Sequence, residues 1–297
     1  MKRLLTLVTF GLLLLFIASC SESPTTIPSG TEGSIALEPR PEFVDQRPSE
    51  EIEKYVMNPS TEYRDWLEKK PPHPHDPPDT GSADPNPDPA HKYAYIVGIS
   101  DYEGTVNDLQ YPDDDAIDMK SYLQSQGFTT NVDLNGNATA DNITAGLQWL
   151  INQAEPGDEI AFSYSGHGAK APGYGSSIIS TDLYYVTHGY VMSYFNSVDC
   201  SKKLATLDCC VAGDFHGDVV TGTVMATASA NSDSYDVPAF QHGAWTYFFL
   251  EAVEDQELEY AEDAASYAEV EMKAWAKPYH LKATPKHTDK YAGMFDM

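Results

Sequence analysis

The sequence has few basic residues. It carries 18 Lys and Arg against 45 Asp and Glu, which gives a net charge of −27. A surface that binds nucleic acid needs a patch of Lys and Arg to neutralise phosphates, so this balance argues against a nucleic acid partner. The acidic excess fits either a solvated surface or one that attracts basic peptides.

The sequence also lacks an apolar run long enough to cross a bilayer comfortably. Its one sustained run, residues 4–18, follows Lys2 and Arg3. A basic start before a short apolar run is typical of an export signal. We therefore expect residues 1–19 to be a signal peptide.

The end of this signal carries a lipidation motif. Ile17-Ala18-Ser19-Cys20 resembles the bacterial lipobox, which implies that Cys20 becomes the lipidated first residue of the mature chain. Several acyl groups on one residue anchor a protein stably to a membrane. We expect an extracytoplasmic protein of the bacterial cell envelope, and Ser21 in place of aspartate favours the outer membrane.

Residues 20–91 lack the spacing of apolar residues that builds a core. Proline-rich polar stretches such as residues 71–78 are stiff and extended. The sequence therefore predicts a largely disordered tether that lifts a domain of residues 92–297 off the membrane.

Strand and helix signals alternate within residues 92–297. Short apolar runs predict strands at residues 93–99, 129–134, 159–164, 204–207 and 224–228. Apolar residues at helical spacing predict helices at residues 113–126, from about 139, and at 244–253 and 264–276. This alternation predicts an α/β fold with a mostly parallel sheet that is flanked by helices on both faces. Ligands of such sheets bind beyond the carboxyl ends of the strands.

Two reactive side chains follow two of these strands. Residues 159–164 lead to His167, which stands between two glycines, and residues 204–207 lead to Cys210. A thiol and an imidazole at neighbouring strand ends can form a nucleophile–base pair that attacks a peptide carbonyl. The backbone N–H groups of Gly168 and Cys210 could stabilise the resulting oxyanion.

The motifs around these residues resemble a known family. YSGHG at residues 164–168, followed by LDCCVAG at residues 207–213, is similar to the caspase-like peptidases, especially metacaspases and their bacterial relatives. Further matching segments occur in the family's order at residues 97–102, 111–116, 227–230, 242–247 and 284–286. The resemblance implies the caspase-like fold and a cysteine endopeptidase with Cys210 as nucleophile. It makes Cys209 a packed neighbour.

The resemblance also implies a substrate preference. In metacaspases the first substrate pocket is acidic, and the matching positions here are Asp115 and Asp208. Two carboxylates would bind Arg or Lys by charge-assisted hydrogen bonds, so we expect peptide or protein substrates cut after basic residues. An alternative for Asp115 is that it only adds negative charge to a helix N-terminus.

The sequence departs from the family pattern in two places. Ala212 replaces the usual serine, a mild change. The acidic cluster through which many metacaspases bind calcium is not evident, since residues 170–201 contain only Asp182 and Asp199 as acidic residues. We therefore predict no metal and no cofactor, with calcium remaining as the alternative.

Many members of this family cleave themselves between the histidine and cysteine motifs. Basic residues in that interval are Lys170 and the pair Lys202-Lys203, and Lys69-Lys70 lies in the predicted tether. These are the sites at which self-cleavage is expected.

Three alternatives remain open at this point. The chain could be a caspase-fold binding module that has lost turnover, although its intact Cys–His pair argues against this. It could belong to a gingipain-like or clostripain-like branch of the same protease clan. A Cys209–Cys210 disulfide would mask the nucleophile, but adjacent cysteines close such a bond only with strain.

Overall fold

The central strands are the most apolar short segments of the chain. The computed structural model describes residues 39–46 and 83–297. The strands are β1 (Lys92–Gly98), β2 (Thr129–Leu134), β3 (Glu159–Ser165), β4 (Gly168–Ala171), β5 (Gly175–Ile179), β6 (Tyr185–Thr187), β7 (Lys202–Asp208), β8 (Thr223–Thr227), β9 (Asp236–Val237), β10 (His242–Gly243) and β11 (Lys286–Asp289). The α-helices are α1 (Pro112–Ser125), α2 (Ala140–Gln153), α3 (His188–Ser197), α4 (Ala244–Leu250) and α5 (Ala261–Ala276). A π-helical turn (Glu251–Asp255) continues α4, and 3₁₀ turns lie at Asn135–Asn137, Ala212–Asp218 and Lys277–Tyr279.

Six strands form the central sheet in the order β11-β8-β7-β3-β1-β2. The five that the sequence predicts are parallel, and β11 is antiparallel to β8 at the edge. This confirms the predicted α/β class with a mostly parallel sheet. The edge strand was not predicted because its residues, KHTD, are polar and carry no apolar run.

The two faces of the sheet bury separate apolar layers. Alternate residues of β1 point to opposite faces: Tyr95 and Val97 join the layer under α2 and α3, whereas Ala94 and Ile96 join the layer under α1, α4 and α5. Helices on both faces leave only the strand ends open for a site.

A small second sheet, β4-β5-β6, and helix α3 lie between the two reactive residues in the sequence. The sequence analysis predicted neither. The strands are short and rich in glycine and serine, and the β4–β5 turn depends on Gly173 and Gly175, which both have positive φ. Their side chains therefore show no clear alternation.

Part of the predicted tether packs on the domain. In residues 39–46, Arg40 and Phe43 are buried, and Asp84 accepts a hydrogen bond from Lys202 at 2.8 Å. These segments are ordered by single side chains rather than by an apolar repeat, which is why the sequence pattern did not reveal them. Cys20, the signal peptide at residues 1–19 and the remainder of the tether lie outside the described residues. Within the described part, no helix has the length and apolar character that a bilayer crossing requires.

Candidate active site

Sheet register places the two reactive residues just beyond neighbouring strand ends, although His167 Nδ1 and Cys210 Sγ make no hydrogen bond with each other. Ser165 at the end of β3 pairs with Asp208 at the end of the neighbouring parallel strand β7. His167 and Cys210 each stand two residues beyond this pair. The Gly166 N–H also donates to the Asp208 carbonyl at 3.2 Å, so the two connections leave the sheet side by side.

Two tyrosine hydroxyls hold the backbone of His167. The His167 N–H donates to the Tyr102 hydroxyl at 2.8 Å, and the Tyr164 hydroxyl donates to the His167 carbonyl at 2.8 Å. A Cβ on Gly166 would lie 2.6 Å from the Tyr164 oxygen and 2.7 Å from the Tyr102 oxygen. Glycine before the histidine therefore makes room for the groups that position it.

One ring nitrogen of His167 is hydrogen-bonded, and the other is not. Nε2 lies 2.9 Å from the Asn107 carbonyl oxygen, which can only accept, so Nε2 carries the proton. Nδ1 has no hydrogen-bond partner within residues 39–46 and 83–297. Burial lowers the pKa of His167 to about 4, against the opposing effect of the Asn107 carbonyl. The ring is therefore neutral, with a basic lone pair on Nδ1.

The Cys210 thiol is also kept neutral. Burial raises its pKa, although the Ser234 N–H, which donates to Sγ at 3.2 Å, opposes this. The next residue, Val211, adopts a left-handed conformation with φ 47°, which is rare for a β-branched residue. This sharp turn directs the chain away from the strand immediately after the thiol.

Gly168 lies against the backbone of Cys210. A Cβ on Gly168 would be 2.1 Å from the Cys210 carbonyl oxygen. Only glycine lets the histidine connection approach Cys210 this closely. The predicted pair of oxyanion donors, Gly168 and Cys210, is thus close in space.

Three carboxylates surround a single guanidinium in the pocket beside Cys210. Arg40 Nη2 lies 3.4 Å from Asp115, Nη1 lies 3.4 Å from Asp208, and Nε lies 2.7 Å from Asp236. The Arg40 side chain is 0% exposed. We call the pocket formed by Asp115, Asp208 and Asp236 the acidic pocket.

Further hydrogen bonds complete the contacts of this guanidinium. It donates to the Ser165 hydroxyl at 3.2 Å and to the backbone carbonyls of Gly166 and Asp208. Burial opposes the charge on Arg40, but the three carboxylates raise its pKa well above the ordinary value. The acidic pocket therefore binds a charged arginine in a site closed to water.

Neighbouring residues hold the predicted pair of carboxylates in place. Asp115 accepts hydrogen bonds from the Gly243 N–H and from Ser165 at 3.0 and 2.7 Å, and Asp208 accepts from the N–H of Thr246 at 3.0 Å. Asp115 is buried and faces Arg40, so it does more than charge the start of α1. Burial raises the pKa of Asp208 to about 6, and Arg40 opposes that rise.

The backbone around Arg40 lies along the domain as an added strand does. Pro39 forms an antiparallel bridge with Tyr235, and the Arg40 N–H donates to the Ser234 carbonyl at 2.9 Å. Ser234 is also the residue whose N–H contacts Cys210 Sγ. Arg40 is thus held by its side chain and its backbone beside the residue that contacts Cys210.

Comparison with known proteins identifies the family. The caspase-domain profile matches residues 91–279. The chain belongs to the caspase-domain family. This is a family of cysteine peptidases, and the match includes His167, Cys210 and all three residues of the acidic pocket.

Relatives of this caspase-domain protein are distant. Metacaspase-1 of Lodderomyces elongisporus is 36% identical over 88 residues, which cover 27% of this chain and 19% of the relative. Metacaspase-2 of Trypanosoma brucei brucei is 35% identical over 95 residues, 28% of this chain and 27% of the relative. The matches thus span less than a third of either relative. A crystal structure of a Geobacter sulfurreducens protein superposes with a TM-score of 0.52 at 15% identity, covering 68% of this chain and 94% of that one, which supports the fold alone.

Three site residues of this caspase domain were missed by sequence reasoning. Arg40 falls in the predicted tether, Asn107 lies in a polar loop, and Asp236 begins the two-residue strand β9, three residues after Asp233. No spacing rule selects Asp236 over Asp233. The only available signal for Arg40 is that it is one of few arginines in the acidic, proline-rich region before the domain.

The basic residues expected as self-cleavage sites between the two motifs are not loop residues, whereas Lys69-Lys70 lies outside the described residues. Lys202 and Lys203 lie inside β7 with buried side chains, and Lys170 lies on β4, where it pairs with Asp214. Cleavage after Lys202 or Lys203 would require the central strand to unfold.

Cys200, Cys209 and Cys210, the cysteines among the described residues, are all unpaired. Cys209 is fully buried, as expected of a packed neighbour. In the same part of the chain, no group of three or more His, Cys, Asp or Glu side chains is arranged to hold a metal ion.

Proposed function

We propose that this protein is a cysteine endopeptidase that cleaves after Arg or Lys, with Cys210 as nucleophile and His167 as base. The observation that carries the proposal is Arg40. Its guanidinium fills the acidic pocket, while its backbone pairs with Ser234 beside the Cys210 thiol. A substrate arginine bound in the same way would present its carbonyl carbon to that sulfur.

The proposed reaction uses the bare nitrogen of His167. Nδ1 takes the thiol proton as Cys210 Sγ bonds to the carbonyl carbon, and the backbone N–H groups of Gly168 and Cys210 stabilise the oxyanion. The imidazolium then gives its proton to the departing amine as the C–N bond breaks. Water, deprotonated by the same nitrogen, hydrolyses the acyl-enzyme and restores the thiol.

The proposed enzyme is latent while residues 39–46 occupy the cleft. A substrate side chain cannot enter the acidic pocket until Arg40 leaves it. Burial also favours the neutral forms of both reacting groups, since it raises the pKa of Cys210 and lowers that of His167. Departure of the segment would let water reach the pair and favour the thiolate–imidazolium form.

Substrate charge should control activity in a pH-dependent way. Asp208 loses its charge as pH falls through about 6, so its attraction for a basic side chain is present above this pH and weakens below it. In a chain with Arg40→Gln, we expect a peptide ending in Arg to be cleaved faster than one ending in the uncharged analogue citrulline. The kcat/KM ratio of the two peptides should fall as Asp208 becomes protonated at acidic pH.

Taking this ratio cancels the titration of Cys210 and His167, which affects both peptides equally. A peptide ending in Asp serves as the charge-reversed control and should not be cleaved. Equal rates for the Arg and citrulline peptides at every pH would refute the proposed specificity.

We further propose that the protein is lipid-anchored through Cys20 on the extracytoplasmic side of a bacterial membrane. The support is the basic start, the short apolar run and the small residues before Cys20. Cells that express the chain and are fed labelled palmitate should incorporate label into the wild type but not into Cys20→Ala. Cys200→Ala is the matched control and should remain labelled; label in Cys20→Ala would contradict the anchor.

A further inference from the structure

The segment that fills the acidic pocket continues past it on the side of the leaving amine. Beyond Arg40, the side chains of Pro41, Glu42 and Val44 are exposed, whereas Phe43 is 8% exposed. If Arg40 stands for the residue before the cleaved bond, Phe43 stands for the third residue after it. The domain therefore buries one side chain on each side of the bond.

The Phe43 ring packs against two aromatic rings. Its ring lies 5.4 Å from that of Tyr185 in an edge-on arrangement at 89°, and 5.9 Å from the His167 ring. Edge-on aromatic pairs at this separation are favourable beyond the area that they bury. These two rings come from β6 of the small sheet and from the connection that follows β3.

Asn107 holds the backbone of the next residue. Its side-chain oxygen accepts from the Val44 N–H at 2.9 Å, and its side-chain nitrogen donates to the Val44 carbonyl at 3.1 Å. One carboxamide thus makes both hydrogen bonds that a neighbouring strand would make. Val44 itself is 47% exposed, so Asn107 recognises peptide backbone rather than a particular side chain.

The same residue contacts the catalytic base. The Asn107 carbonyl accepts from His167 Nε2 at 2.9 Å, and Asn107 is only 1% exposed. The peptide clamp and the group that orients His167 are therefore the side chain and the backbone of a single buried residue.

We infer that the cleft has a second specificity site on the leaving side of the bond. Tyr185 and His167 seat an aromatic side chain three residues after the cleaved bond, and Asn107 clamps the backbone of the fourth. The ligand of this site is a peptide substrate. In this structure Phe43 and Val44 occupy the positions of its third and fourth residues after the cleaved bond. This inference rests on the proposed endopeptidase function.

The test uses the full chain with Arg40→Gln and Phe43→Ala, which removes both side chains that occupy the sites. Two internally quenched peptides continue after the cleaved Arg as Ala-Glu-Phe-Val or Ala-Glu-Ala-Val. We expect the phenylalanine peptide to have a kcat/KM about 10-fold higher, mostly through KM, because burial of one aromatic ring separates them. A short fluorogenic peptide that ends at Arg reports on the acidic pocket and the dyad alone.

Adding Asn107→Ala should lower the ratio of extended to short peptide kcat/KM by about 10-fold, since two hydrogen bonds to the backbone are lost. Asn152→Ala, on the exposed side of α2, makes the same chemical change and should leave this ratio unaltered. Equal kcat/KM for the two extended peptides, with the short one cleaved, overturns the second site but not the proposed function. Failure to cleave any of the three overturns both.

Discussion

Replacing Cys210 with alanine should lower hydrolysis of an arginine peptide by at least about 10⁴-fold, because it removes the sulfur on which the proposed acyl-enzyme forms. The measurement is best made in a chain that also carries Arg40→Gln, so that the acidic pocket is open in both proteins. Binding of the peptide should survive, since Asp115, Asp208 and Asp236 are unchanged. A fluorescently labelled arginine peptide would report that binding.

Cys200→Ala is the matched control. Cys200 is half-buried and precedes the end of β7 opposite to Asp208 and Cys210. Burial raises the pKa of its thiol to about 11, so it is a poor nucleophile. This variant should keep its activity. If the Cys210→Ala chain and its parent bound the peptide equally and neither cleaved it, the protein would be a binding module of the caspase fold instead of an enzyme.

Arg40→Gln should raise the activity of the full chain toward basic peptides by roughly 100-fold. Arg40 donates charge-assisted hydrogen bonds to several partners in the acidic pocket. Losing about 3 kcal/mol of these contacts lowers the equilibrium constant for binding of residues 39–46 in the cleft by about 100-fold. The gain should appear in initial rates measured on freshly purified, uncleaved protein.

Arg47→Gln makes the same charge change at another arginine that precedes a proline, as Arg40 precedes Pro41. It should not activate the enzyme, because the acidic pocket is filled by Arg40. Equal activity of wild type and Arg40→Gln would contradict latency.

Pro41→Ala tests whether the segment lies in the cleft as a substrate does. Proline contributes a tertiary amide to the Arg40–Pro41 bond, and its ring has fixed geometry, which we expect to hinder cleavage. With alanine in its place, the chain should cut itself after Arg40, so that the substituted alanine becomes a new N-terminus, and adding Cys210→Ala should prevent this. N-terminal sequencing would detect the product.

The positions of the proposed catalytic pair were predictable because they depend on a short-range pattern repeated in a regular architecture. Strand endings are visible as apolar runs that stop, and in a parallel sheet those endings meet at one edge. Ser165 and Asp208 are register partners, so the connections that carry His167 and Cys210 leave the sheet side by side. Asp115 and Asp208 followed from family resemblance, which supplied what spacing alone could not.

The remainder of the cleft depends on contacts between distant parts of the chain. Arg40 and Asp236 are separated by 196 residues, and Val44 and Asn107 by 63. Neither contact leaves a trace in local composition, since a buried arginine in a proline-rich segment has the same sequence surroundings as an exposed one. Burial of the charged guanidinium costs desolvation free energy, and the attraction of three converging carboxylates is needed to offset that cost.

The amino-acid sequence by itself determined the class of fold, where along the chain the parallel strands end, and which thiol and imidazole follow two of those strands. Tertiary structure alone decided which acidic residues share the pocket, which nitrogen of His167 makes no hydrogen bond, and that the chain's own arginine occupies that pocket. The physical reason is that periodicity and turn chemistry act over a few residues. Charge pairing and aromatic packing, in contrast, act between residues that are distant in the sequence, and the fold determines which of these are close in space.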